Sequence, residues 1–468
     1  MQHQGYWNKC ACNEYDALLR RHACGDIQPR GPLWPRLRHN LLLIAETLKH
    51  EISFERQGHV SVMEHTRPSI KKRYKNAWHN MKSLRMDVGS AQARLTSFVK
   101  FEKIPLGKID VGKPPRLIQF RSYEYLYCLK SYILTHSMLL KTTKTSVFNN
   151  QEMNTVFTKL YDTPGIARVL RESWDSFKNP VAVCLDHSKF DGHYVTDLLN
   201  LEHEYWNKLF ASPFLKRLLD MQLHNKGVTQ NGLRYKLTGH RASGEYTTSE
   251  GNTLMNYAMI HTVCEHLGID VRIHVNGDDS VIIAESQYKD KIVNAVDLFR
   301  QFNMETGVEK VAEHFQEIVY CQSSPVRKMV KGRMAWYMIK EPIRTMSRMC
   351  YCDSKFGSAL LRFVGGMALC ELAVSSGIPI LQAFTLALLS RSMSVRPLGA
   401  VDKFPARLAS SDAISIYPVE EVTREDFSIA FGYTPNQQIS MENELAGLLR
   451  SPQDLNKFIE RYKNFHLQ

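Results

Sequence analysis

The chain has 468 residues, 44% hydrophobic and 23% charged, which are the proportions of a globular protein with core enough for two or three lobes and exclude a disordered chain. Lys and Arg outnumber Asp and Glu by 60 to 47, leaving a formal charge of +13 and a pI near 9.1, which favours a polyanionic partner such as nucleic acid or an anionic membrane surface. Ten cysteines scattered between positions 10 and 370 lack the density of a disulfide-stapled secreted domain and predict reduced thiols in a cytosolic setting. The first residues, MQHQGYWNKC, carry no apolar stretch of the signal-peptide kind. Cys10, Cys12, His22 and Cys24 could offer four zinc ligands, but their C-x-C and H-x-C spacings are not those of the common fingers, and incidental terminal residues are the preferred reading. In KKRYKNAW, residues 71 to 78, Lys71, Lys72, Arg73 and Lys75 beside Tyr74 and Trp78 could follow a phosphate backbone and stack on bases, or equally form a solvated helix face. From about 96 to 340 short apolar strands alternate with helical patterns, and from about 350 onward helical periodicity dominates.

FVKFEKIPLGKIDVGKPPRLIQFRS, residues 98 to 122, sets Lys100, Lys103, Lys113, Arg116 and Arg121 around a proline-stiffened strand. Alternation about Arg116, Ile118 and Phe120 leaves room for arginines aimed into a channel, where their forks would hold a triphosphate; alone, the segment reads equally as a charged edge strand. PVAVCLDHSKFDGH, residues 180 to 193, opens with the apolar run Val181 to Leu185, a short buried strand that delivers Asp186 at its end, and Asp191 follows five residues later. In SGEYTTSEGNTLMNY, residues 243 to 257, Ser243 and Gly244 open a flexible turn, and Thr248 and Asn252 share one face of the following helix. Asp191 as acceptor and Asn252 as donor and acceptor could together read a ribose 2′-OH.

HVNGDDSVIIAES, residues 274 to 286, reads as a hairpin: Val271, Ile273 and Val275 alternate with polar residues, Asn276-Gly277 marks a tight turn, and Val281 to Ala284 form an apolar run. Asp278 and Asp279 then sit at or beside the tip, where they repel one another unless a cation lies between them and something else. If the strand 181 to 185 lies beside this hairpin, Asp186 faces Asp278 with Asp279 flanking, a set of hard oxygen donors suited to one or two Mg²⁺ ions. Two such ions, roughly 3.5 to 4 Å apart, would activate a 3′-hydroxyl and stabilise a pyrophosphate leaving group. Further on, the uncharged stretch Leu372 to Ser390 is near spanning length, but Ser375-Ser376-Gly377 and Pro379 break it, predicting two packed helices joined by a turn in place of a membrane span.

Taken in order, a basic strand, D-x4-D, S-G-x3-T-x3-N and G-D-D resemble the finger and palm motifs of viral RNA-dependent RNA polymerases. The wording is most similar to that of the tombusvirus-like group of positive-strand RNA viruses: FVKFEK with KPPRLIQFRS resembles its nucleotide-entry motif, and YCQSSPV at 320 to 326 its F-C-Q-x-x-P-V motif. The resemblance covers residues 96 to 345 and implies an α/β (α+β) right hand of fingers, palm and thumb, with an antiparallel palm sheet and a largely helical thumb. On that division residues 1–95 are an N-terminal extension linking fingers and thumb, 96–180 fingers, 181–345 palm with an inserted fingers segment, and 346–468 thumb. It implies templated RNA synthesis from ribonucleoside triphosphates with two Mg²⁺ ions, for which Mn²⁺ could substitute. Asp186, Asp278 and Asp279 would be the metal ligands, Asp191, Ser243, Thr248 and Asn252 would surround the ribose, and Lys103, Arg116 and Arg121 the triphosphate. The family's pyrophosphate-protonating lysine has no counterpart at the aligned Glu305, and Lys310 is the nearest substitute. Expected partners are single-stranded template and nascent RNA, with other viral replication proteins and host membranes reached indirectly in the host cytoplasm. Two alternatives remain at this point: a reverse transcriptase, disfavoured by polar Asp191 and Asn252 where a bulky ribose shield is usual, and a basic RNA-binding protein without chemistry, which gives no reason for three carboxylates to converge.

Overall fold

The computed structural model describes residues 3–23, 27, 30–140, 142–349, 351, 357, 359–398 and 413–465. Its strands are β1 Gln4–Gly5, β2 Leu95–Val99, β3 Ile104–Pro105, β4 Leu117–Phe120, β5 Pro180–Ser188, β6 His224–Thr229, β7 Arg234–Thr238, β8 Arg272–Asn276, β9 Asp279–Glu285, β10 Glu305–Ala312, β11 Ser323–Val330 and β12 Arg333–Lys340. The central sheet has the order β10-β5-β9-β8 and is antiparallel throughout. Its middle strands are continuous apolar runs because both faces are covered. Val183, Leu185, Ile282 and Ala284 join the main core, while Ala182, Cys184, Val281 and Ile283 pack on Ile166, Leu170 and Trp174 of the helix Thr163–Asp175.

The main core runs from Leu33 to Met304 and includes the helix Trp34–Glu51, whose Leu37, Leu41, Ile44 and Leu48 recur at helical spacing. That stripe lies against the helices Thr196–Phe210 and Thr247–Leu267, so this part of the N-terminal region shares the central core. A second sheet has the order β4-β2-β6-β7, with β2 and β6 parallel. The hairpin β11–β12 leads into a second, helical core between Val326 and Phe465. There, the stretch from Leu372 forms the end of the helix Leu360–Ser375 and the helix Leu381–Ser390, with Gly377 at φ +77° in the turn between them. No described helix is long and apolar enough to cross a membrane.

Two N-terminal expectations change. Lys71, Lys72, Arg73 and Lys75 are exposed on the helix Pro68–Ser83, but Tyr74 is buried and Trp78 stacks on His59 with ring centroids 4.0 Å apart, so these aromatics face the core and are not free for bases. Cys10 and Cys12 are joined as a disulfide, contrary to the expectation of reduced thiols, which removes two of the four candidate zinc ligands. His22 is buried, and Cys24 lies outside the described residues. Cys128, Cys184 and Cys264 are buried thiols, as expected.

Candidate active site

The β8–β9 register pairs Asn276 with Asp279, leaving Gly277 and Asp278 as a two-residue loop. Only Gly277 of the two takes a positive φ, +71°, which a glycine supplies without strain at the first central position of a tight hairpin. On the other side of β9, β5 pairs Leu185 with Ser280, so Asp186 emerges beside Asp279 at the end of the sheet. The long helix Thr247–Leu267 holds the loop from below. The Gly277 N–H donates to Thr253 Oγ1 at 2.7 Å, and Asn256 Nδ2 donates to the carbonyls of Gly277 and Asp278 at 3.1 and 3.4 Å. Because that amide directs its N–H groups at the loop, its Oδ1 accepts from His187 Nε2 at 2.9 Å, and His187 Nδ1 accepts from the Thr306 hydroxyl at 2.9 Å.

Asp186, Asp278 and Asp279 therefore lie at the same end of the sheet, and the charges of the first two act on Asp279. The Asp279 carboxyl is pushed up to about 7 by burial first, then by Asp278, Glu309 and Asp186, with a hydrogen bond to Cys321 opposing. Glu309 is a fourth carboxylate that the sequence reading missed: it occupies a bulge of β10 between Val308 and Lys310, where its own carboxyl is raised by burial and by Asp186. Facing this negative field, Lys113 is depressed by burial and by Lys108 and Arg21, with Asp186 opposing. Arg344 is depressed by burial and Arg348, with Glu341, Glu309 and Asp279 opposing. Among the described residues no group of three or more His, Cys, Asp or Glu side chains is placed so that it could hold a metal ion by itself. Carboxylate oxygens are the ligand type of Mg²⁺, which usually takes one or two of them and completes its shell with waters and substrate phosphates.

Asp191 lies in the short helix Phe190–His193, entered through Lys189 at φ +48°, and accepts from Asn252 Nδ2 at 2.8 Å. Its carboxyl is raised by burial, with the Asn252 hydrogen bond opposing. The structure thus joins the two residues expected at the ribose. The other two close the loop before the helix: Ser243 Oγ donates to the Leu117 carbonyl at 2.9 Å and accepts from Gln119 N at 3.3 Å, while Thr248 Oγ1 donates to the Ala242 carbonyl at 2.8 Å. Arg116 is half-exposed, 3.5 Å from Glu102, and its charge acts on Asp191.

Three expected positions are corrected. Arg121 is turned inward, where it pairs with Glu245, donates to the Ala93 carbonyl and donates to Asn225 Oδ1 at 2.6 Å. The reason is strand parity: Leu117, Gln119 and Arg121 form the buried row while Ile118 and Phe120 face the other way, so Arg116 and Arg121 cannot share a channel. Lys103, expected at the triphosphate, donates to the Arg348 carbonyl at 2.6 Å and lies over the Phe363 ring, tying the second sheet's connecting loop to the helical lobe. Lys310 follows the bulge, and its ammonium lies 3.4 Å from Glu317 and not beside Asp186. Sequence reasoning also passed over Thr253, Asn256 and His187, which fix the loop, although Asn256 follows Asn252 by one helical turn.

The family model described as viral RNA dependent RNA polymerase matches residues 3–449. The chain belongs to this viral RNA-dependent RNA polymerase family. Among curated relatives, the RNA-directed RNA polymerase of Melon necrotic spot virus is 32% identical over 376 residues, 77% of this chain and 46% of that protein. That of Tobacco necrosis virus (strain A) is 32% identical over 374 residues, 76% of this chain and 49% of that protein. That of Cymbidium ringspot virus is 31% identical over 366 residues, 76% of this chain and 43% of that protein. The chain spans under half the length of these curated relatives. Within the family, the resemblance to the tombusvirus-like group read from the motifs is borne out by these relatives.

Proposed function

We propose that the chain extends RNA on a single-stranded RNA template, using ribonucleoside triphosphates, as the RNA-directed RNA polymerase of a positive-strand RNA virus. The observation that carries this reading is the placement of Asp186, Asp278 and Asp279 at one end of the central sheet, where burial first and then Asp278, Glu309 and Asp186 push the Asp279 carboxyl up to about 7. Such a concentration of negative charge, which Lys113 and Arg344 offset in part, is costly unless further cations share the site. The carboxylates are of the donor type that Mg²⁺, or Mn²⁺ as a substitute, takes together with substrate phosphates; Asp186, Asp278 and Asp279 would hold the metal, which would lower the barrier to 3′-hydroxyl attack and offset charge on the departing pyrophosphate. The chain's own residues bind and orient. Lys113 and Arg116 present cations to the triphosphate, Asp191 and Asn252 meet the ribose, and Thr253 with Asn256 keeps the Asp278 loop in place.

The same reading takes residues 96–180 as fingers, 181–345 as palm and 346–468 as a helical thumb. Residues 1–95 would link fingers and thumb, a role supported by the β1–β3 pairing and by Tyr6, which stacks on Phe101 at 4.2 Å and lies 5.2 Å from Tyr351. Template and nascent RNA would be held by the net positive surface. Other viral replication proteins would bring the chain to host membranes in the cytoplasm. The test is synthesis from four ribonucleoside triphosphates on templates of defined sequence. The proposal expects product complementary to whichever template is supplied. RNA binding without product, with and without primer, would favour a binding protein, and preferential use of deoxyribonucleotides a reverse transcriptase.

A further inference from the structure

Arg241 is a large cation with 1% relative exposure, two residues before Ser243-Gly244, and no role in charge neutralisation of RNA or triphosphate is open to a side chain so enclosed. Its guanidinium pairs with Glu202, whose exposure is 0%, and lies 4.2 Å over the Tyr194 ring. Glu202 is held in turn by the Tyr194 hydroxyl and by Trp206 Nε1, which donates at 2.8 Å. Gly251, immediately before Asn252, provides the room for this carboxylate, since a Cβ there would collide with it. Replacing a buried ion pair by apolar residues is often neutral or stabilising, so such a pair invites a question about specificity.

The remaining donors of Arg241 answer it. Nε donates to Asn252 Oδ1 at 3.0 Å, Nη1 donates to Thr247 Oγ1 at 3.2 Å, and the Arg241 backbone N–H donates to the Asp191 carbonyl at 3.1 Å. One residue therefore grips both members of the Asp191–Asn252 pair. A primary amide has two nearly isosteric orientations that exchange its donor and acceptor ends. An N–H fixed against Oδ1 permits only one: with the amide reversed, two donors would meet at Arg241 and two acceptors at Asp191. In the permitted orientation Nδ2 reaches Asp191 Oδ1 at 2.8 Å, leaving a second N–H of the amide and the other Asp191 oxygen for a ligand hydroxyl.

We propose that Arg241, clamped by Glu202 and Tyr194, is a positioning residue for sugar selection, fixing the Asn252 amide so that the Asp191–Asn252 pair prefers ribo- over deoxyribonucleotides. The inference rests on the ribose role given to that pair above. Removing the Nε donor while keeping a cation opposite Glu202, as in Arg241→Lys, frees the amide to turn. Its cost falls on substrates that carry a 2′-OH, because a deoxyribonucleotide makes no use of the fixed polarity.

The experiment is single-nucleotide incorporation on a primed RNA template, giving kcat and KM for a ribonucleotide and its 2′-deoxy counterpart with the native protein, Arg241→Lys, Glu202→Gln, Asn252→Ala and the double variant Arg241→Lys/Asn252→Ala. Arg241→Lys is expected to reduce the ribo-to-deoxyribo ratio of kcat/KM by roughly tenfold, the worth of about one hydrogen bond, mainly through a higher ribonucleotide KM. Glu202→Gln should lower the ratio in the same direction, and it carries the test if Arg241→Lys does not fold. The double variant should discriminate no worse than Asn252→Ala alone, because Arg241 acts through that amide. Equal losses for both sugars, or additive losses in the double variant, would overturn the proposal and leave Arg241 a packing residue. An unchanged ratio in Asn252→Ala would instead remove the ribose role of the pair, and no incorporation by the native protein would remove the polymerase reading itself.

Discussion

Asn256→Ala should damage stability and synthesis together, because one buried amide joins the long helix to both the Asp278 loop and His187. The native side chain has 0% exposure and makes hydrogen bonds of 2.9 Å to His187, 3.1 Å to the Gly277 carbonyl and 3.4 Å to the Asp278 carbonyl. At about 1 kcal/mol net for each of the two shorter bonds, plus about 1–3 kcal/mol for leaving the buried His187 nitrogen without a partner, the loss is about 3–5 kcal/mol. Taking the core between residues 33 and 304 as one cooperative unit at about 2.1 cal/mol/K per residue, its unfolding midpoint should fall by about 5–9 °C. A loop displaced by about 1 Å should slow nucleotide addition by about 100-fold while template affinity is retained. Calorimetry and single-turnover incorporation read the two effects, and Thr253→Val, which removes the bond from Gly277 N and the hydroxyl's bond to the Ser249 carbonyl but leaves the Asn256 amide in place, should show smaller losses in both. A folded Asn256→Ala protein with an unchanged midpoint and native rate would refute the claim that this amide positions the loop.

Acid should weaken the protein below the ordinary histidine range. His203 and His274 are each lowered to about 4, chiefly by burial. The unfolded chain therefore takes up these protons below pH ~6.5 and the folded chain only near 4, so stability is full above 6.5 and is lost as pH falls through that window, by about 2 kcal/mol per histidine at pH 5. His274→Gln should flatten the slope of stability against pH between 6.5 and 4 in calorimetry. In the helical lobe, the fully buried Asp426 accepts from Arg327 N, Nε and Nη2 at 3.0, 2.7 and 2.8 Å and from Gln316 Nε2 at 2.7 Å. Asp426→Ala should cost about 2–3 kcal/mol, moderated by the solvent access of Arg327, and should appear as a lowered transition of that lobe. A Cβ on Gly244 would stand 2.5 Å from the Gln119 carbonyl oxygen and 2.9 Å from Phe120 Cβ, so Gly244→Ala must move the loop before the long helix. Incorporation should fall by about 100-fold. Gly107→Ala, with nothing within 4 Å of its new Cβ, should leave it unchanged.

The placement of the three aspartates at one sheet end was legible in sequence because its signals are local. Period-two alternation, an Asn-Gly turn and an apolar run that ends on Asp186 specify strands whose ends carry the aspartates, and burial on both faces of β5 and β9 then brings those ends together. The helical spacing of Thr248, Asn252 and Asn256 likewise lines up three polar side chains, which bond Ala242, Asp191 and the Gly277–Asp278 loop in turn. Arg121 was misplaced although the information was present: it differs from Arg116 by an odd number of residues, and a strand sends odd and even positions to opposite faces. Which face is buried depends on Glu245 and Asn225, more than 100 residues away in sequence. Lys310 and Glu309 were unreadable for a different reason, since a bulge resets the alternation of β10 without any local sequence mark. Arg241 was invisible as a positioning group because a basic residue in a basic chain reads as a surface cation until its buried acceptors are known.

The central claim is that the carboxylates act on the reacting groups and do not merely shape the sheet. Rates of addition of one ribonucleotide to a primed RNA template in Mg²⁺, for the native protein and Asp278→Asn at matched RNA occupancy, test it most directly. Asp278 lies at the loop tip, so the amide should leave the fold and template affinity in place, and the account predicts a rate reduced by at least roughly 100-fold. A native rate from Asp278→Asn, with RNA bound equally well, would contradict it.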